Sequence, residues 1–142
     1  MAHTVNRIVI DADYEKVFEM SNDIGRWKEF FNEYTDSKVL KKEGKKITFE
    51  LTHQKGTRWT SYRILAKEER FAYASRMEPM APFQYMKIIW LYRETEGGTE
   101  MTWIQDFSMA PDAKVDDSRA EQMINEHSKE NLKRFKEIIE NS

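Results

Sequence analysis

The chain has 142 residues, a length that suits one domain with one sizeable hydrophobic core. The net charge is −2 with both signs interspersed, so the sequence lacks the basic face that nucleic-acid binding requires. The absence of cysteine excludes disulfides, thiolate metal ligands and thiol catalysis, and with no signal-peptide core or membrane-length apolar run we expect a cytoplasmic protein without a membrane span.

The N-terminal part predicts one strand followed by two short helices. Residues 3–10 are a candidate strand, and Asp11 and Asp13 then mark a helix start. The helices are expected over residues 13–20 and 24–31. They leave no room for a full crossover helix, which argues against a parallel α/β sheet.

The middle of the chain has a period of two, which predicts strands. Pro79 and Pro82 are expected to bracket a loop, and Gly97-Gly98 a tight hairpin turn. The strands are predicted over residues 36–43, 45–53, 57–66, 69–77, 83–94 and 99–109.

The last part predicts one long amphipathic helix from Ser118 to Glu140. Ser118 and Glu121 fit a capping box. The apolar stripe of this helix is interrupted by His127 and Asn131, which lie four residues apart on the same side. Their polar groups either find hydrogen-bond partners in the core or line a cavity. The apolar stripe consists of Ala120, Met123, Ile124, Phe135, Ile138 and Ile139.

This order of elements predicts an α+β fold in the helix-grip arrangement, as a single domain over residues 1–142. About seven antiparallel strands would wrap around the long C-terminal helix, with two short helices after the first strand. Strand parity then selects the inward-facing residues, among which Ser61, Gln84 and Gln105 are polar. The inner faces of the last two strands are predicted to carry Gln84, Met86, Ile88, Trp90, Tyr92, Met101, Trp103, Gln105, Phe107 and Met109.

Arg63 shares its parity with Trp59 and Leu65, so it should point inward. A buried unpaired guanidinium is costly and needs an acceptor or a ligand. One interpretation is a cation that binds a substrate oxygen or stabilises an enolate. The alternative is an arginine that reaches solvent or pairs with an acidic residue.

The remaining polar and aromatic candidates are also open to two interpretations. His127 is either a satisfied core histidine or a ligand contact. His3, His53 and His127 show no metal-ligand spacing, so no metal site is predicted. The tryptophans either fill the core or form a platform for a ligand; they are Trp27, Trp59, Trp90 and Trp103.

Several segments in one order resemble the single-domain aromatase/cyclases of bacterial aromatic polyketide synthesis, within the START/Bet v 1-like superfamily. The resemblance covers about residues 3 to 140, and the segments that begin at Pro82 and at Thr102 are the most specific to this branch. The segments are Asp23-Ile-Gly-Arg-Trp27, Arg58-Trp-Thr-Ser61, Pro82-Phe-Gln-Tyr-Met86 with Trp90, Gly97-Gly98, Thr102-Trp-Ile-Gln-Asp-Phe107 with Pro111, and Val115-Asp-Asp117.

The resemblance implies a deep pocket between the sheet and the long helix, holding a poly-β-ketone presented by an acyl carrier protein. It implies Arg63 as the key catalytic arginine and Tyr34 as a proton relay, with no cofactor. The polar helix position that faces the pocket corresponds to Asn125 or His127. With the inward polar and aromatic positions, the predicted substrate-binding residues are Trp27, Trp59, Ser61, Met86, Trp90, Trp103, Gln105, Asn125, His127 and Asn131.

The leading hypothesis is therefore a polyketide aromatase/cyclase that directs aldol ring closure and dehydration. The alternative is a non-catalytic binding or transport protein for a lipid, isoprenoid or aromatic ligand. Tyr62 and His127-Ser128 favour the alternative, because they stand where the family has an acidic residue and an Asn-Thr pair. A purely protein–protein role is a third possibility, since chaperone-stimulating relatives share the fold. The protein is expected to be a monomer or a homodimer.

Overall fold

The computed structural model describes residues 1–78 and 80–142, so the predicted loop at Pro79 lies partly outside the described residues. The described residues form seven strands, three α-helices and one 3-10 turn. In chain order these are β1 (Ala2–Ile10), α1 (Tyr14–Ser21), the 3-10 turn (Ile24–Arg26), α2 (Trp27–Phe30), β2 (Tyr34–Glu43), β3 (Lys46–His53), β4 (Arg58–Ala66), β5 (Phe71–Arg76), β6 (Phe83–Thr95), β7 (Gly98–Met109) and α3 (Asp117–Glu140).

All seven strands belong to one antiparallel sheet in the order β1-β7-β6-β5-β4-β3-β2. The first strand is thus placed beside the last, and α3 packs mainly against β1. The predicted α+β helix-grip fold is confirmed. Within the described ranges, no helix is both long enough and apolar enough to cross a membrane.

The short helices follow the local sequence signals. The Asp13 carboxylate accepts a hydrogen bond from the Lys16 backbone N–H at 2.8 Å, so Asp13 caps α1 as predicted. The predicted second helix is a 3-10 turn followed by the single turn α2. This compact segment buries Ile24, Trp27 and Phe30 against the sheet.

The hairpin between β6 and β7 depends on Gly98. Its φ of 128° is rarely adopted by residues with a side chain, and a Cβ at this position would lie 2.1 Å from the carbonyl oxygen of Ile10. Thr95 pairs with Gly98 across a two-residue turn. The absence of a side chain therefore lets the end of β1 approach the hairpin.

The start of α3 corrects the predicted capping box at Ser118 and Glu121. The N-cap is Asp116, whose backbone is extended and whose carboxylate accepts from the Arg119 N–H at 2.8 Å. Asp117 is bound to the Met109 backbone N–H at 2.7 Å. The chain is thus already helical at Ser118, and the cap lies two residues earlier than the pattern suggested.

The buried face of α3 also differs from the predicted stripe. Ser128 and Leu132 lie on it, whereas Met123 is exposed. The helix faces a cavity and a strand rather than a continuous apolar layer. Whether a residue of α3 is buried therefore depends on where it lies around the helix as well as on its hydrophobicity. The buried residues of α3 are Ala120, Ser128, Leu132, Phe135 and Ile139.

The predicted inward position of Gln84 is wrong. The register between β6 and β7 shifts between Phe83 and Tyr85, which reverses the strand parity at that point. Gln84 is consequently exposed. Phe83 instead turns inward and packs edge-to-face on Phe107, with ring centroids 5.8 Å apart.

Candidate ligand cavity

A cavity of about 240 Å³ lies between the inner face of the sheet and α3. An apolar cavity of ~150 Å³ is enough to hold benzene, so this one can take a larger ring system. The cavity brings together every predicted site residue except Asn125. The predicted residues that line it are Trp27, Tyr34, Trp59, Ser61, Arg63, Met86, Trp90, Trp103, Gln105, His127 and Asn131.

Asn125 lies on a different side of α3. Its Oδ1 accepts a hydrogen bond from the Asn6 side chain on β1 at 2.8 Å, so it ties the helix to the sheet. Two residues along a helix correspond to a rotation of about 200°, which turns His127 toward the cavity instead. Of the two helix positions that the resemblance left open, the structure places His127 at the cavity.

Aromatic rings form the inner walls. The Trp90 and Trp103 indoles are stacked, with centroids 4.4 Å apart and planes only 9° from parallel. Phe135 of α3 meets both indoles edge-on, at 5.6 Å from Trp90 and 5.2 Å from Trp103. This arrangement gives a rigid, apolar aromatic wall beside the cavity.

Arg63 is buried at the inner end of the cavity, with 1% of its surface exposed. Its guanidinium carbon lies 4.0 Å from the Trp90 ring centroid and 5.3 Å from that of Trp27. Within the described residues it forms no salt bridge, and its Nη2 has no hydrogen-bond partner. The arginine therefore neither reaches solvent nor pairs with an acidic residue.

Asn22 holds Arg63 in place. Its Oδ1 accepts from Arg63 Nε at 2.8 Å, and its Nδ2 donates to the Tyr92 hydroxyl at 3.0 Å. The Tyr92 hydroxyl also bonds to Ser21 at 2.8 Å. Sequence reasoning missed this network, because Ser21 and Asn22 fall between the two predicted short helices, where polar residues indicate no more than a helix end.

Burial lowers the pKa of the Arg63 guanidinium to about 10, while the nearby Tyr92 opposes this shift. The side chain is still charged at neutral pH. Burial likewise raises the pKa of Tyr92, and Arg63 opposes that shift. The inner end of the cavity thus carries a positive charge balanced by dipoles and ring faces rather than by a carboxylate.

Gln105 on β7 contributes an oriented amide to the cavity. Its Oε1 accepts hydrogen bonds from the Thr4 hydroxyl at 2.8 Å and the Ser128 hydroxyl at 2.9 Å. The neighbouring Trp103 Nε1 is buried without a partner among the described residues. The inner polar groups of the cavity therefore offer mainly N–H donors.

Four of the lining residues lie toward the more exposed end of the cavity: Tyr34, Glu33, Asn131 and His127. Asn131 Nδ2 donates to Glu33 Oε1 at 3.3 Å, which joins α3 to the segment before β2. Burial, assisted by Glu33, raises the pKa of Tyr34 well above its ordinary value of 10. The phenol therefore stays protonated, so it is a hydrogen-bond donor and only a weak acid, and it does not act as a base.

Arg76 is a cavity residue that the sequence reasoning missed. Its guanidinium carbon lies 4.4 Å from the Trp59 ring centroid and 5.3 Å from that of Phe83. Its Nη2 donates to the Ala81 carbonyl at 3.0 Å, and burial lowers its pKa. The alternation of the buried residues Ala72 and Ala74 on β5 places Arg76 on the same face, and this signal could have revealed it.

The lining residues grade from buried to exposed along the cavity. Trp27, Phe49 and Arg63 are buried at one end. Arg76 is only partly buried and His127 is exposed at the other. Along the described part of the lining, access is therefore from the end that carries Arg76 and His127. No group of three or more His, Asp or Glu side chains in residues 1–78 and 80–142 is placed to hold a metal ion.

The fold and the cavity define a helix-grip protein with an enclosed aromatic site. The family model described as "Polyketide cyclase / dehydrase and lipid transport" matches residues 1–140, and the chain belongs to this family. The family predicted from the sequence segments is thus confirmed.

Two relatives and one solved structure are similar to this chain. An inferred polyketide cyclase of Streptomyces cyaneus is 41% identical over 143 residues, which cover 97% of this chain and 93% of the relative. An inferred polyketide cyclase of Streptomyces halstedii is 36% identical over 107 residues, covering 72% and 97%. The ZhuI aromatase/cyclase from Streptomyces sp. R1128 superimposes with a TM-score of 0.83 at 17% identity, over 97% of this chain and 93% of that one, which shows the shared fold.

Proposed function

We propose that the protein is a polyketide aromatase/cyclase that bends a poly-β-ketone in this cavity and directs one aldol ring closure. In this proposal the poly-β-ketone is delivered by an acyl carrier protein in the cytoplasm. The observation that carries the proposal is the set of N–H donors between the aromatic walls, from Arg63, Trp103 and Gln105. A poly-β-ketone offers acceptors at regular intervals along a flexible chain, and this donor set matches such a ligand better than a hydrocarbon.

Two steps of the proposed reaction have a role for these residues. A methylene between two ketones loses a proton to water, and the resulting enolate attacks a second ketone to form one C–C bond. Donors such as Arg63 Nη2 stabilise the negative charge that develops on oxygen. Tyr34 is protonated and can give its proton to the new alkoxide, because an alkoxide is a strong base. Loss of one water then leads toward the aromatic ring.

The cavity also acts through shape. The rigid aromatic wall around the stacked Trp90 and Trp103 indoles limits the conformations that a bound polyketide can adopt. Holding two positions of the polyketide close together speeds their reaction, because binding has already restricted their relative motion. The choice among competing ring closures would thus follow from which fold of the chain fits.

A second candidate function is binding or transport of an aromatic or lipid ligand without turnover. The observation that favours it is that Arg63 is held by Asn22 while Tyr34 is unsuited to act as a base. The family description also includes lipid transport.

Reconstitution separates the two candidates. A minimal polyketide synthase with its carrier protein is run with and without this protein, and the products are resolved by chromatography and mass. A cyclase converts a mixture of spontaneous products into one dominant aromatic product. An unchanged mixture, with protein that still binds ligands by tryptophan fluorescence, would support the binding protein instead.

A further inference from the structure

The side-chain amide of Gln105 is held by two hydroxyl groups that come from opposite sides. Thr4 lies directly across from Gln105 in the pairing of β1 with β7, and Ser128 lies on α3. Both are nearly fully buried, at 4% and 3% exposure. Their hydroxyls donate to the same atom, Gln105 Oε1, at 2.8 Å and 2.9 Å.

This double contact fixes the direction of the amide. An amide oxygen has two lone pairs, and two hydroxyl donors occupy both. The Nε2 group, the other polar atom of the amide, then points away from both hydroxyls, and Gln105 lines the cavity. Within the described part of the chain, Nε2 donates to no other residue.

We propose that Thr4 and Ser128 are positioning residues that turn the Gln105 amide so that its N–H group binds a carbonyl oxygen of the ligand. Thr4 lies outside the cavity lining and Ser128 is part of it, but in this proposal both act on the ketone preference through Gln105. The inference rests on the proposed function in one respect, the choice of a ketone as the ligand group. It adds a selectivity for carbonyl compounds. Residues on β1 and α3 determine this selectivity by orienting a side chain on β7.

The test uses two probes of nearly equal shape, 1-tetralone and tetralin, which differ by one carbonyl. Their dissociation constants for the full chain are measured by tryptophan fluorescence and calorimetry. The ratio of the tetralin to the tetralone constant is the ketone preference. Comparing this ratio between variants cancels the different hydrophobicity of the two probes.

Gln105→Met keeps the length of the side chain and removes the amide. We expect it to lower the ketone preference roughly 3- to 10-fold, the range that one net hydrogen bond supports. The double variant Thr4→Val with Ser128→Ala should lower the preference by a similar factor with little change for tetralin. Thr4→Ser and Ser128→Thr keep the hydroxyls and should keep the preference.

A thermodynamic cycle separates positioning from general damage. In the Gln105→Met background, Thr4→Val with Ser128→Ala should change the preference no further, because the amide they orient is gone. Thr102→Val, a buried threonine on the outward side of β7, is the matched control and should leave the preference unchanged. An equal additional loss in the Gln105→Met background would overturn the proposal.

A measurement on the unaltered protein covers the case in which the variants fail to fold. The Gln105 side-chain NH₂ resonance should shift with 1-tetralone but not with tetralin. An unmoved resonance, or tighter binding of 1-tetralol than of 1-tetralone, would mean that the amide is turned the other way and would overturn the inference. Absence of ring closure in the reconstitution, with the ketone preference intact, would reject only the proposed function.

Discussion

The guanidinium carbon of Arg63 lies 4.0 Å from the ring centroid of Trp90, and both side chains are buried at the inner end of the cavity. A cation in this position would normally need a carboxylate partner. Here the ring faces and the Asn22 amide replace it, and Nη2 has no hydrogen-bond partner among the described residues. The burial cost of this charge and its proposed role in ring closure can therefore be tested separately.

Arg63→Met should therefore separate stability from function. The lowered pKa of Arg63 corresponds to a burial cost of a few kcal/mol, which the lost hydrogen bond and cation–π contacts roughly offset. We expect the free energy of unfolding to stay within about 1 kcal/mol of the parent, whereas directed ring closure falls about 100-fold or more. Urea unfolding and the reconstituted assay measure the two quantities.

Arg93→Met on the exposed side of β6 is the matched control for that substitution. It removes the same charge and should change neither quantity appreciably. If Arg63→Met gave the parental product profile at the parental rate, Arg63 would have no catalytic role.

Arg76→Lys should weaken ligand binding without slowing the chemical step. Lysine keeps the charge, but it loses the planar stacking on Trp59 and Phe83 and the fixed bond to the Ala81 carbonyl. We expect KM to rise roughly 3- to 10-fold with kcat nearly constant. Arg58→Lys, at an exposed position on β4, is the control. A fall in kcat at unchanged KM would instead place Arg76 in the chemical step.

The raised pKa of Tyr34 predicts a dependence of stability on alkaline pH. Above about pH 10 the phenol ionises in the unfolded chain while it stays protonated in the folded protein. The folded state then binds more protons, so stability falls as pH rises beyond that point. Tyr34→Phe should make this fall shallower in urea unfolding between pH 8 and pH 11. Parallel curves for the two proteins would show that Tyr34 is not held neutral.

The cap of α3 can be tested by two neighbouring substitutions. Asp116→Ala removes the acceptor for the Arg119 N–H and should cost about 1 kcal/mol of unfolding free energy. Ser118→Ala should cost far less, since Ser118 lies inside the helix. The reverse order of the two losses, measured by thermal unfolding, would restore the capping box as the start of the helix.

Periodicity was sufficient to predict the sheet, the long helix and most of the cavity lining. Alternation on β4 and β7 placed Arg63 and Gln105 inward, because unbroken strands preserve the side-chain parity. The same rule failed at Gln84, where a bulge inserts one residue. A local irregularity of this kind leaves no composition signal.

The contacts that orient the site could not be predicted in the same way. Asn22, Thr4 and Ser128 act through hydrogen bonds between elements that are distant in sequence. Their residue types are common at helix ends and on strands, so the pattern does not distinguish them. Asn125 shows the converse problem, since a helix position can be assigned to a face only when its neighbours in space are known.

Under the proposed function, the gradient of exposure along the cavity would set the order in which a carrier-tethered polyketide meets the protein. Its free end would enter past Arg76 and His127 and lie near Arg63, while the segment next to the carrier would stay at the opening. The two arginines would then contact opposite ends of the same molecule. A product ring, stiffer than the chain that entered, has to leave by the same passage, so discharge of the finished ring becomes a step on which turnover can depend.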